Sequence, residues 1–278
     1  MNTLTLPPTN SPYDDLLRVG LLAAAAGGAK LMEWRGKFTA REKSPADMVT
    51  DADLASQKAI REVIATHHPE HAFVGEEDPG QVKQLLEEPV CWVVDPLDGT
   101  TNYVHDFPAY AVSIGAVVEG ELAAGVIYNP LTGDVYGAAR GGGAWCNEQR
   151  MQVSETTQLS DALLAMSLPP QARSESPDVL DFVAMVGRAR ALRRIGSAAL
   201  NLAYVAQGVL DGHWARMIHP WDVAAGVLLV QEAGGVVSAS NGQPFNLAAA
   251  HFVVGATAAL HAEMVQTLRE SGAKLPDA

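Results

Sequence analysis

The segment Trp92-Val93-Val94-Asp95-Pro96-Leu97-Asp98-Gly99-Thr100-Thr101-Asn102 constrains this chain more than any other. Residues 90–94 are unbroken apolar sequence, the pattern of a fully buried strand. The run stops in two carboxylates three residues apart, with a glycine and two hydroxyls immediately after. Pro96 pushes Asp95 toward extended geometry and is expected to end the strand there. Gly99 can take backbone angles closed to other residues. Asp95 and Asp98 can then converge on one point, where their repulsion is costly without a cation. Oxygen-only ligands suit a hard divalent ion such as Mg²⁺. A polar turn capping a short helix at 100–102 is the plainer alternative. The buried strand, Pro, Gly and paired Thr together favour the cation.

The chain has 278 residues, enough for one large domain or two intimately packed halves. An apolar share of 48% with 18% charged residues excludes a disordered chain. The formal net charge of −13 argues against a nucleic-acid or anionic-membrane partner. An acidic protein that handles phosphates also needs metal ions to reverse the local sign. Cys91 and Cys146 belong to no Cys/His cluster, so zinc and redox motifs are absent. A reduced, cytoplasmic setting fits. Residues 1–11 lack the charge and apolar core of a signal peptide. The longest small-apolar run, 21–29, is too short to span a bilayer.

Ser11 is placed as a cap, with Pro12 opening a helix that runs to about Trp34. A second helix is expected over 53–66, a short strand over 71–75, then the buried strand at 90–94. Strands at 110–118, 121–128, 134–139 and 144–153, separated by turn residues, form a meander. From residue 154 the rhythm becomes strand and helix in alternation: strands near 162–168, 191–195, 209–216, 235–239 and 251–255, helices near 177–190, 197–207, 221–233 and 257–271. The division expected is 11–153 and 154–275, packed as one unit. Alternation of this kind implies a layered sheet with helices.

Other polar groups carry two readings each. Glu76 and Glu77 end a short strand; they are either a solvated loop or further metal carboxylates. Asp222, in Pro220-Trp221-Asp222-Val223-Ala224-Ala225-Gly226, is either a helix-start acid or a rigidly held ligand. The small Ala-Ala-Gly face suggests close helix packing. Asp47, Thr50, Asp51 and Asp53 precede a helix and suit caps. Arg193-Arg194-Ile195-Gly196-Ser197-Ala198-Ala199 is a small-residue turn whose amides can accept an anionic or hydroxyl-rich ligand, or merely permit close packing. His105, His213 and His219 are not at ligand spacing, and Gly141 to Gly143 read as a hairpin turn.

Gly75-Glu76-Glu77, the Asp95 to Asn102 motif, and Trp221 to Gly226, in that order and spacing, resemble the inositol monophosphatase family of lithium-sensitive, Mg²⁺-dependent phosphatases. The resemblance runs from about residue 14 to 270. It implies an α+β fold, an α-β-α-β-α layered sandwich shared with fructose-1,6-bisphosphatase, and a homodimer. It also implies roles. Glu76, Asp95 and the Leu97 carbonyl bind one metal; Asp95, Asp98 and Asp222 bind a second; Glu76 shares in a third. Thr100, supported by Asp53, activates water. Amides at Gly99 and Thr100 hold phosphate, and Gly196, Ser197 and Ala198 line the substrate alcohol. The substrate implied is a small phosphorylated metabolite, inositol-1-phosphate by default, with fructose-1,6-bisphosphate and histidinol phosphate as alternatives. Bacterial relatives that bind transcription or RNA-processing machinery supply a regulatory alternative.

Two positions depart from the family pattern. Ala215 stands where a substrate-binding Glu is usual, and the neighbouring Arg216 is expected to favour a second anionic group on the substrate. Asp106 stands where Gly is common, introducing an acid near the metal loop.

Overall fold

The computed structural model describes residues 4–44, 47–80, 82, 87–169, 172–249 and 251–273. Helices α1 (Asp14–Trp34) and α2 (Asp51–His67) form the first layer. The second is a seven-stranded sheet in sequential order: β3 (Ala72–Gly75), β4 (Val90–Asp98), β5 (Ala111–Val118), β6 (Glu121–Tyr128), β7 (Val135–Ala139), β8 (Ala144–Cys146) and β9 (Gln149–Arg150). Only β3 and β4 are parallel; the rest is the expected meander. A small separate hairpin, β1 (Ala40–Ser44) with β2 (Asp47–Thr50), precedes α2. Near the site a single turn of helix, α3 (Thr100–Val104), follows β4.

A second, five-stranded sheet has the order β11-β10-β12-β14-β13, from Ala191–Arg193, Leu163–Met166, Gly212–Ala215, Phe252–Gly255 and Val236–Ser238. Helices α5 (Ala198–Ala206) and α6 (Pro220–Glu232) are buried along most of their length between the two sheets. Helices α4 (Pro177–Val186) and α7 (Ala258–Glu270) cover the outer face of the second sheet. The result is the α-β-α-β-α layering that the resemblance implies.

Helix α6 lies close on the first sheet because both surfaces are pared to small residues. A Cβ added at Gly115 would lie 2.7 Å from the Ala224 Cβ, and one at Gly125 would lie 2.9 Å from Ala225 backbone. Ser113 Oγ donates to the Trp221 carbonyl at 3.2 Å, fixing the first turn of the helix to β5.

Three local expectations are corrected. Strand β4 does not stop at Asp95 but runs to Asp98, because a register shift against β5 between Asp95 and Asp98 takes up Pro96. Ser11 is not the α1 cap: its hydroxyl donates to the Arg140 carbonyl, and the helix starts at Asp14 after Tyr13. Helix α2 starts at Asp51, capped by Thr50, whose hydroxyl accepts from the Ala52 amide.

Candidate active site

The site lies where β4 leaves the first sheet, opposite the N-termini of α5 and α6. Asp95, Asp98 and Asp222 each present a carboxylate oxygen within 4.8 Å of the others. Asp95 and Asp98 are buried, and Asp222 is partly exposed. Asp95 Oδ1 accepts from the Leu97 amide at 2.9 Å. Asp222 sits in the first turn of α6 and accepts from the His219 amide at 2.9 Å. Asp95 and Asp222 are also within hydrogen-bonding reach of each other. Two carboxylates can share such a contact only with a proton or a cation between them.

Electrostatics say the same. Burial, reinforced by the charges of Glu76, Asp98 and Asp222, holds Asp95 well above the usual carboxylate range. Burial, with Asp98 and Glu76, does the same to Asp222. Asp98 is pushed up by burial to about 6, against hydrogen bonds from Ser197, Ala199 and Ala198 that favour its charged form. Those bonds tie the end of β4 to the start of α5. The Ser197 hydroxyl donates to Asp98 Oδ2 at 2.5 Å, as does the Ala199 amide at 2.7 Å, and the Ala198 amide donates to Oδ1 at 3.2 Å. Asp98 therefore receives the unpaired amides at the start of α5.

A raised carboxylate pKa makes the metal-free native state bind more protons than the unfolded chain. Stability then falls as pH rises above the ordinary Asp pKa of 3.8, through about 6 for Asp98, with the raised Asp95 and Asp222 acting in the same direction. In chelator, the thermal midpoint is expected to drop by several degrees between pH 4.5 and pH 8. Added Mg²⁺ should restore it, and more strongly at pH 8 than at pH 5.5. A midpoint independent of both pH and Mg²⁺ would contradict a cation-binding cluster.

Beside the acids stands a hydroxyl-carboxylate pair. Thr100 Oγ1 lies 3.2 Å from Asp53 Oδ1 and 3.1 Å from the Leu97 carbonyl. Asp53 is buried, and its Oδ2 accepts from the Thr50 amide at 2.8 Å and the Thr50 hydroxyl at 2.5 Å. Asp53 thus combines a capping role with contact to Thr100. Gly99, at φ +94°, lets the chain turn between them; a Cβ there would lie 2.9 Å from the Ala109 carbonyl oxygen and 3.2 Å from that of Gly196.

Glu76 is partly exposed, and its charge bears on all three acids. The Glu77 amide is held by Gln57 Oε1 at 3.1 Å. Asp51 faces the hairpin, accepting from the Thr39 amide and Arg41. The Asp47 side chain lies outside the described residues. His105 is exposed, His213 is buried edge-on to Phe252, and His219 stacks on Trp221.

The expectation for Arg216 does not hold. Its guanidinium is buried on the far side of the second sheet, with Nε and Nη2 on the Asp181 carboxylate and Nη2 also on the Leu268 carbonyl. With its donors engaged by α4 and α7, Arg216 does not meet substrate. Asp106 is likewise turned from the acids, at φ +57°, pairing with Arg35 Nε at 3.0 Å.

A second group of ligand-type side chains, His68, Glu70 and His71, lies at the end of α2. The Trp92 indole donates to His71 Nδ1 at 3.1 Å, so neutral His71 carries its proton on Nε2, facing Glu70 at 3.3 Å. The two imidazoles stack 4.3 Å apart. The arrangement ties the end of α2 to Trp92 through His71.

The layering brings an acidic, all-oxygen cluster to the end of a buried strand, a set of groups that could hold a hard divalent cation. Comparison with known proteins narrows this. The family model described as "Inositol monophosphatase family" matches residues 13–273. The Inositol-1-monophosphatase of Synechocystis is 38% identical over 266 residues, covering 94% of this chain and 92% of that protein. The Nus factor SuhB of Pseudomonas aeruginosa is 39% identical over 251 residues, covering 87% and 92%. The structure of inositol monophosphatase from Anabaena superposes with a TM-score of 0.82 at 35% identity, over 94% of this chain and 97% of that one. The chain belongs to the inositol monophosphatase family.

Proposed function

We propose that this protein hydrolyses small polyol or sugar monophosphates, with inositol-1-phosphate as the leading substrate, through Mg²⁺ and direct attack by water. The observation that carries this reading is the Asp95, Asp98 and Asp222 cluster, beside the Thr100 and Asp53 pair. The donor set fits Mg²⁺: every ligand is oxygen, and the acids are close enough to need a counter-charge. Glu76, Asp95, Asp98, Asp222 and the Leu97 carbonyl would hold two or three ions. Bound there, the ions supply neutralisation of phosphate charge and acidity for water.

The chain's own groups do the rest. The Thr100 hydroxyl donates to Asp53 or to the Leu97 carbonyl, leaving a lone pair to accept from the attacking water. As the water oxygen bonds to phosphorus and the P–O bond to the alcohol breaks, Thr100 takes the water's proton and passes its own to Asp53. The departing alkoxide is protonated by solvent. Amides at Gly99 and Thr100 would hold the phosphate, and Gly196 would face the alcohol, with Ser197 and Ala198 buried behind it and bonded to Asp98. Such positioning and charge neutralisation are most of what phosphoryl transfer requires. Ala215 is fully buried in β12 and offers no acceptor for sugar hydroxyls. The assembly proposed is a homodimer.

The test is phosphate release from inositol-1-phosphate, fructose-1,6-bisphosphate, histidinol phosphate and adenosine-3′,5′-bisphosphate, with Mg²⁺ or with EDTA. Mg²⁺-dependent turnover favouring inositol-1-phosphate is expected. The likeness to proteins named Nus factor SuhB supports a second reading, a regulator acting on transcription or RNA-processing machinery. Folded protein that binds Mg²⁺, turns over none of these esters and retains RNA polymerase in a pull-down would favour that reading.

A further inference from the structure

Asn102 has no part in the ligand or proton-transfer roles above, yet three backbone segments of the site meet on it. Its side-chain Nδ2 donates to the Ala109 carbonyl at 2.6 Å and to the Ile195 carbonyl at 2.9 Å. A carboxamide carries two N–H groups, so both bonds form at once. The two acceptors lie 7 and 93 residues away in sequence. Ile195 leads directly into Gly196, Ser197 and Ala198. Gly196, at φ +85°, packs against the amide: a Cβ there would lie 3.0 Å from Nδ2 and 3.1 Å from Oδ1. The opposite wall is the Gly99 turn, which approaches the carbonyls of Ala109 and Gly196 closely enough to exclude a side chain.

Among the described residues, the side chains of Asp98 and Asn102 join the 99–100 loop to the 195–198 segment. Asp98 is a carboxylate whose charge balance changes when a cation binds. Asn102 is neutral, so its two bonds persist through every charge state of the site.

We propose that Asn102 is a specificity-determining positioning residue. It fixes how the phosphate-holding loop at Gly99 and Thr100 sits against the segment that begins at Gly196, and so sets which alcohols fit. This inference rests on the phosphatase reading above. The chemistry implied is a bulky, rigid alcohol held by its fit against both segments. Aspartate at this position would put a carboxylate against two carbonyl oxygens and push the 195–198 segment outward. Serine would keep at most one donor with shorter reach.

The experiment compares the parent with Asn102→Ser and Asn102→Asp in Mg²⁺. Its readouts are kinetics on inositol-1-phosphate and on the slimmer β-glycerophosphate, the inhibition constant of inorganic phosphate, and the thermal midpoint. The expected result is a rise of about tenfold in KM for inositol-1-phosphate, larger for Asp than for Ser, with kcat within about threefold. KM for β-glycerophosphate and inhibition by phosphate should stay within about twofold, so the preference between the two esters shifts. Parallel loss on both esters, or phosphate inhibition weakened to the same extent, overturns the assignment. So does unfolding of both variants, which would make Asn102 purely structural. A parent inactive on both esters overturns the phosphatase reading itself, and this inference with it; an active parent with unshifted preference overturns the inference alone.

Discussion

Asp95→Asn is expected to reduce Mg²⁺-dependent phosphate release by about 10³-fold or more, while the protein stays folded. Loss of even one preorganised electrostatic group commonly costs about 10²–10³ in rate. Asp95 is more than one such group: it touches Asp222, it shares the 4.8 Å cluster with Asp98, and Glu76 is the strongest charge acting on it. The fold should survive because an asparagine Oδ1 can still accept from the Leu97 amide. Removing one negative charge from a crowded, buried group should also raise the thermal midpoint of the metal-free protein at pH 8, where repulsion is greatest. The paired outcome is diagnostic, because a fold defect would lower activity and midpoint together. An active Asp95→Asn protein would remove the basis for the phosphatase assignment.

The second large effect is on stability and lies far from the acids. Arg216→Met is expected to lower the free energy of unfolding by about 3–5 kcal/mol, the usual cost of leaving one member of a buried ion pair uncompensated. Arg216 and Asp181 are both buried, and the same carboxylate also accepts from the Ser271 hydroxyl at 2.6 Å. The Arg216 amide donates to Asp178 Oδ1 at 2.8 Å, so one residue fastens β12 to α4 and, through Leu268, to α7. The double variant Arg216→Met with Asp181→Leu should recover much of the loss, since a well-packed apolar pair can replace a buried ion pair. Urea unfolding of the three proteins measures both effects. If Arg216→Met unfolds at the parent's midpoint, the pair carries no such energy.

These two residues also show how far the sequence could be read. Asp95 was legible because its context is local: an apolar run, a proline, a glycine and a second acid within a few positions. The layered order was legible because the strands of the first sheet follow one another in the chain. Arg216 was misread because its partners are 35 and 52 residues away in sequence. Asp178 and Asp181 stand three apart in a helix that otherwise reads as apolar, which was the available signal of a buried cation. The β1–β2 hairpin escaped notice because Arg41, Glu42 and Lys43 interrupt any apolar alternation. Strand β4 seemed to end at Pro96 because a bulge, set by pairing with β5, is invisible along one strand. Asn102 stands inside the motif, but its two acceptors are set by tertiary contact and leave no local trace.

The contact between Asp98 and the start of α5 spans 99 to 101 residues of chain. During synthesis, the acids of β4 emerge well before the amides of Ala198 and Ala199, and Asp222 comes later still. A nascent chain that has produced only the first sheet holds a repelling pair with neither its helix partner nor its third carboxylate. On the metal reading proposed above, completion of the ligand cluster is coupled to docking of the two sheets and not to closure of the loop. Long-range closures of this kind slow folding. An ion held by that cluster would then bear on the yield of native protein as well as on the proposed activity.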